Sequence, residues 1–168
     1  MALTKEELIG SLQNEIRILL HLAGKIDRSK VDYRPTAKQR STIELLRYLT
    51  CMGRGLVPAI KTGAFDGAAW GAATAAAEKK GLDEIVADLG SLSDFYAKEL
   101  APMTEADFAG QVALFSPDKQ SRGSWIVNMV LSGHAAYRTQ LFMYLKACGR
   151  EELNTMNLWQ GVDAPMPM

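Results

Sequence analysis

The chain has 168 residues, with 19 Lys and Arg against 19 Asp and Glu, two histidines and two cysteines. That length suits one domain with a real core, and the even charge balance excludes a general attraction to nucleic acid or anionic lipid. The opening stretch MALTKEELIG lacks the charged-then-apolar pattern of a signal peptide. The expectation is a cytoplasmic protein in which Cys51 and Cys148 are reduced and act as small core hydrophobes.

Thr4 with Glu7 is a capping-box pattern opening a first helix to about Ile26, with Leu8, Leu12, Ile16, Leu19 and Ala23 in one stripe. Asn14, Arg17, His21 and Lys25 lie opposite, which predicts a solvated His21. Asp27 to Arg40 is polar and broken by Pro35, a loop over one end of the fold with Tyr33 as its anchor. Ser41 and Glu44 repeat the capping box and start a second helix, whose stripe is Leu45, Leu49, Met52 and Leu56, bordered by Tyr48. Pro58 is expected to kink or end it. Phe65 to Lys80, rich in Ala and Gly, reads as a short extra helix or covering segment docked through Phe65 and Trp70.

A third helix spans about Leu82 to Leu100, with Leu82, Ile85, Leu89, Leu92 and Tyr96 as its stripe, and Pro102 stops it. Thr104 to Asp107 start a short helix, Ser116 to Asp118 turn the chain, and Ser121 or Ser124 caps a fourth helix. That helix, Trp125 to Cys148, is the longest apolar run, and no carboxylate lies between Asp118 and Glu151. Ile126, Met129, Val130, Gly133, Tyr137, Leu141, Tyr144 and Leu145 recur at helical spacing and apolar residues fill other sides, which predicts burial on most sides. It is long enough to cross a bilayer, yet Asn128, His134, Arg138 and Gln140 are costly in lipid, so no membrane span is expected. Leu131, Ala135 and Phe142 form a second stripe that predicts a symmetric homodimer. Gly149 caps the helix. The tail, 153–168, is expected to lie on the bundle, pinned by Leu153, Leu158 and Trp159, with its last, proline-containing residues frayed. No strand pattern, repeat or phosphate loop is present. The predicted architecture is one all-α domain over 1–168, a four-helix bundle.

The second helix reads STIELLRYL and the fourth SRGSWIVNMVLSGHAAYRTQLFMYLKACG. With the helix order and the Tyr-Arg-Pro of the first loop, these stretches resemble the DinB superfamily, also called DinB/YfiT-like. The resemblance implies a four-helix bundle, commonly a homodimer. Many members hold a divalent metal such as zinc or nickel through three histidines, one from the second helix and two from the fourth. Some act as thiol-dependent transferases or isomerases, the metal lowering the pKa of a bound thiol or water.

In the register that best matches Arg138, Thr139, Gln140 and Leu141, the three ligand positions fall on Tyr48, Gly133 and Tyr137. None is histidine. A shift of one residue offers His134, but its partner becomes Arg138, a cation. Glu44 reads as a helix cap rather than a ligand. The expectation is therefore a degenerate metal site with no cofactor, His134 being the only imidazole left as a metal candidate. A polar pocket is expected near Tyr48, Gly133, His134, Tyr137 and Arg138, with Tyr137 hydrogen-bonded to Tyr48. Arg138, if it faces that pocket, favours an anionic small molecule, a thiol being the family-based choice. If it does not, it snorkels to a surface carboxylate. The reading is a dimeric small-molecule-binding bundle. Its alternatives are a metal-dependent thiol S-transferase or hydrolase, a metal-free enzyme using His134 as general base with Tyr137, and an interaction protein with an exposed apolar patch.

Overall fold

The computed structural model describes residues 3–165. The fraying expected for the last three residues lies outside them. Four rods build the bundle. The first is α1, Lys5–Ala23, and the second is α2, Thr42–Thr62. The third is a pair, α4 (Leu82–Gly90) and α5 (Leu92–Leu100). The fourth is α7 (Arg122–Trp125) continued through a π-helical stretch, Ile126–Leu131, into α8, Ser132–Ala147. A covering helix, α3 (Gly67–Glu78), follows α2, and a short α6 (Glu105–Ala109) follows α5. One apolar cluster joins all four rods, from Leu12 and Leu19 through Leu45, Leu49, Ile85 and Leu89 to Val130 and Leu141.

Helix starts follow their local chemistry. Thr4 and Glu7, Ser41 and Glu44, and Thr104 and Asp107 form reciprocal capping boxes, each satisfying two otherwise orphaned N–H groups. The Ser121 hydroxyl accepts from the Ser124 amide at 3.1 Å and starts the fourth rod. Gly149, at φ +98°, supplies the left-handed residue that ends it. The first loop folds back as expected: Tyr33 meets the Tyr144 ring edge-on at 5.6 Å, and its carbonyl accepts from Thr42 N at 3.0 Å.

Several expectations are corrected. Of the two outcomes expected at Pro58, the helix end does not occur: α2 runs through it to Thr62. Val57, Ala59 and Ile60 are buried in that last turn, while Arg54 and Pro58 face solvent, so water can satisfy the carbonyl that proline leaves without a donor. The third rod is not one helix. It is interrupted at Ser91, whose hydroxyl donates to the Asp88 carbonyl at 2.6 Å, a local side-chain bond that competes with the helical ladder. Two short strands exist, β1 (Gln111–Val112) and β2 (Gln120–Ser121), paired antiparallel with Gln111 opposite Ser121. Two residues per strand leave no alternation to read. The fourth rod is buried on one broad face rather than on most sides: Ile126, Val130, His134, Arg138, Leu141 and Leu145 are buried, whereas Asn128, Ser132, Ala136, Thr139 and Met143 are exposed.

The tail lies on α1 through polar contacts that its apolar residues did not announce. Leu153 and Asn157 are buried, Leu158 is half-buried and Trp159 is 58% exposed. Arg17 donates to the Gln160 carbonyl at 2.8 Å, and Lys25 pairs with Asp163. His21 is consequently not solvated: its side chain is 16% exposed, and its Nε2 is 3.1 Å from Asn157 Nδ2. Among the described residues no helix is long and apolar enough to cross a membrane.

Candidate functional site

The pocket expected from five residues is divided among three contacts. The fourth rod turns Tyr137 toward α2, His134 toward α5 and Arg138 toward α1.

On the α2 side, Tyr48 and Tyr137 meet edge to face, with ring centroids 5.1 Å apart. Gly133, one turn earlier, faces Met52: a Cβ there would stand 3.0 Å from the Met52 sulfur, so only a residue without a side chain fits without displacing it. Burial, and then the neighbouring Tyr137 phenol, push Tyr48 up to about 12. It is a neutral phenol at any physiological pH. Two phenols and a glycine thus occupy the positions that the resemblance assigns to metal ligands. They do not fit zinc or nickel, which call for imidazole, thiolate or carboxylate donors. Among the described residues there is no group of three or more His, Cys, Asp or Glu that could hold a metal ion.

On the α5 side, His134 is fully buried, and its Nε2 lies 2.5 Å from the Tyr96 hydroxyl, also fully buried. Burial alone drops the imidazole to about 4 and pushes the Tyr96 phenol far up. Both groups are neutral near pH 7, and in the Nδ1–H tautomer the tyrosine donates and the imidazole accepts. His134 Nδ1 has no partner among the described residues. Gly53 on α2 makes room for this pair, since a Cβ there would fall 1.9 Å from the Tyr96 oxygen. His134 is a core residue whose Nε2 is paired with Tyr96 rather than with Tyr137.

On the α1 side, Arg138 is 4% exposed, and its Nη1 donates to Glu15 Oε1 at 2.9 Å. The Trp159 ring lies over the guanidinium at 5.1 Å. Burial raises the Glu15 carboxyl, against the pull of Arg138 downward. Arg138 neither snorkels to the surface nor faces a pocket; its charge is answered inside the protein.

Tyr48 also lines a cleft on its other flank. That cleft, of about 310 Å³, opens between the start of α2 and the face of α3, with Tyr48 and Trp70 as aromatic walls and Arg40 and Arg47 beside them. The Trp70 ring lies against Gly55, where a Cβ would come within 2.6 Å of it, and stands edge-on to Tyr48 at 6.0 Å. The Arg40 guanidinium lies over the Tyr48 ring at 4.0 Å. Glu44, the helix cap, accepts from Ser41 N at 2.7 Å and from Arg34 at 3.1 Å. Glu15, Arg40 and Arg47 went unnoticed in the sequence. Glu15 had a readable signal, because it stands at helical spacing from Leu8, Leu12, Leu19 and Leu22 on the apolar stripe of α1.

Two larger clefts are present, one of them also lined by Trp70. One, of about 630 Å³, runs between α2 and the start of α3 along Arg54, Pro58 and Phe65. The other, of about 590 Å³, is bounded by Leu8, Phe108 and Val127 at the opposite end of the bundle. The dimer stripe also changes. Leu131 and Ala135 are half-buried and Met143 is 57% exposed, but Phe142 is in the core.

Among solved structures, the chain is similar to a DinB-like protein, YjoA, from Bacillus subtilis, with a TM-score of 0.68 over 88% of this chain and 95% of that one at 16% identity. No family model and no curated protein matches the sequence. The all-α architecture is DinB-like, and at this identity the likeness concerns the fold alone.

Proposed function

We infer that the protein is a metal-independent, small-molecule-binding bundle that works as a homodimer, its DinB-type metal site degenerate. The observation that carries this reading is the Tyr48–Tyr137 contact, 5.1 Å between ring centroids. It sets two aromatic rings at positions that the resemblance gives to metal ligands on the second and fourth rods, and Tyr48 is also one wall of a cleft of about 310 Å³. That volume lies at the small end of the range for ligand pockets. A metal-dependent thiol transferase or hydrolase finds no donor set at these three positions.

The test uses the Trp70 indole N–H as a reporter in protein dialysed against a chelator. Some members of a small-molecule library are expected to move that resonance, and melting is expected to be unchanged by the dialysis. Stoichiometric zinc or nickel that survives dialysis, and that Tyr48→Phe or Tyr137→Phe abolishes, overturns the reading. So does a library that leaves Trp70 unmoved throughout. For the dimer, the half-buried Leu131 and Ala135 and the exposed Met143 supply a carboxylate-free face on the fourth rod. Sedimentation is expected to give twice the chain mass, and Ala135→Arg to give the single mass. A single chain mass for the unaltered protein at micromolar concentration sinks the dimer.

A further inference from the structure

We propose that the cleft beside Tyr48 binds a small aromatic carboxylate, gripped by Arg40 and Arg47 and stacked along Trp70. This rests on the small-molecule reading above and names its ligand class. Arg40 has no carboxylate partner among the described residues; its guanidinium rests on the Tyr48 ring at 4.0 Å, and its backbone is tied down by the Tyr144 hydroxyl, which donates to the Arg40 carbonyl at 3.0 Å. Arg47 is fixed from the other side: its Nε and Nη2 donate to the Lys80 carbonyl at 3.3 and 2.7 Å, which leaves Nη1 unengaged. Two guanidiniums therefore border one cleft, each positioned by a neutral group and each with N–H donors to offer. A planar fork of this kind matches a carboxylate.

The acidic side chains on the cleft do not cancel them. Glu44 is held by Ser41 N and Arg34. Glu78 is exposed at the last residue of α3, where solvent screens it. It also sets an orientation, with the ligand's carboxylate toward α2. The rest of the wall is apolar or small. From Gly67 to Ala77, α3 carries no charged residue, and Trp70 and Ala77 line the cleft. A tetrahedral anion would satisfy the arginines and leave this wall bare. A neutral thiol would do the reverse. An aromatic carboxylate uses both, and the cleft volume restricts it to one or two rings.

The probes are 2-naphthoate, its neutral isostere 2-naphthalenemethanol, and inorganic phosphate, titrated while following the Trp70 indole and the arginine side-chain resonances. Naphthoate is expected to shift Trp70 with a saturable curve that weakens as salt rises. The alcohol should bind at least about tenfold more weakly, and Arg40→Gln and Arg47→Gln should each cost naphthoate about tenfold, the scale of one charge-assisted hydrogen bond. Both arginines lie outside the core, so unchanged melting of the variants serves as the folding control. Equal binding of alcohol and carboxylate, naphthoate affinity indifferent to both substitutions, or phosphate displacing naphthoate at equal concentration each overturns the proposal. If all three probes leave Trp70 still while a library compound moves it, the aromatic carboxylate is wrong and the broader small-molecule reading stands.

Discussion

The buried Tyr96–His134 pair makes stability depend on pH in a way that can be isolated. In the folded chain the imidazole sits at about 4, depressed by burial from 6.5. Between those values the unfolded chain binds a proton that the native state refuses. Stability therefore rises with pH across that window: the contribution is fully present above pH 6.5 and is lost as pH falls toward 4. The gap corresponds to about 3 kcal/mol. His21, also lowered mainly by burial, acts in the same direction, while Glu15, raised by burial, opposes it. The raw pH profile thus mixes these groups with carboxylates lowered by their hydrogen bonds, Glu7, Glu44 and Glu152 among them, which act in the same direction as His134. The double variant Tyr96→Phe/His134→Phe separates them, because it removes the titrating ring and the hydroxyl it serves together. Urea unfolding at several pH values from 7.5 to 4.5 is the assay. The unaltered chain is expected to lose about 3 kcal/mol more than the double variant across the full window. At neutral pH, His134→Phe alone should cost about 1–3 kcal/mol, because it orphans the Tyr96 hydroxyl, and adding Tyr96→Phe should recover much of that. Parallel pH profiles for the unaltered chain and the double variant would refute the assignment of His134 as a neutral core residue.

Gly53→Ala improves helix propensity, yet its Cβ would meet the fully buried Tyr96, so thermal melting should show a net loss of about 1–3 kcal/mol. Removing one partner of the Glu15–Arg138 pair, by Glu15→Leu or Arg138→Met, should cost about 3 kcal/mol or more in urea unfolding, whereas the Glu15→Leu/Arg138→Met double variant should come close to the unaltered protein; additive losses would show that the two side chains do not depend on each other. Pro58→Ala should raise the melting temperature, since Pro58 sits inside α2 on its exposed side and restoring its N–H returns a helical hydrogen bond. A lower melting temperature would mean that proline's restriction of the unfolded chain outweighs that bond.

Helix starts and the bundle were legible because capping and stripe signals are local. The Ser41–Glu44 box and the Leu45, Leu49, Met52 row need only neighbours within two turns. Features missed were those set by tertiary packing. The continuation of α2 past Pro58 depends on Val57 and Ile60 finding the core, and propensity cannot report that. The face of the fourth rod was misjudged because its buried row passes through His134 and Arg138, two residues that periodicity scores as solvent-facing. Of their partners, Tyr96 stood on the third-helix stripe, whereas Glu15 was readable from its spacing on the first helix but passed over. What was missing was the pairing, which requires knowing which rods touch. Arg40 and Arg47 looked like ordinary surface cations until α3 closed the cleft over them.

The three contacts of the fourth rod also explain why its polar residues gave a misleading picture of one site. Residues 133 and 137 lie a turn apart and face α2; residues 134 and 138 lie a turn apart and face the core between α5 and α1. A one-residue shift in register therefore moves the eye from one side of the helix to the adjacent one, and the two sides obey different chemistry. Toward α2 the rod meets phenol and thioether, the Tyr48 ring and the Met52 sulfur, and Tyr48 in turn lines the cleft with Arg40 and Arg47. Toward α5 and α1, His134 meets Tyr96 and Arg138 meets Glu15, while His134 Nδ1, Arg138 Nε and Glu15 Oε2 are buried without a hydrogen-bond partner among the described residues. Introducing imidazoles at positions 48, 133 and 137 would accordingly place donors between the fourth rod and α2. It would also require the Met52 sulfur, 3.0 Å from a Cβ at Gly133, to give way. A Tyr48→His/Gly133→His/Tyr137→His variant is therefore expected to bind zinc only when Met52 is also reduced to alanine, and equal zinc affinity with Met52 intact would show that the sulfur yields freely.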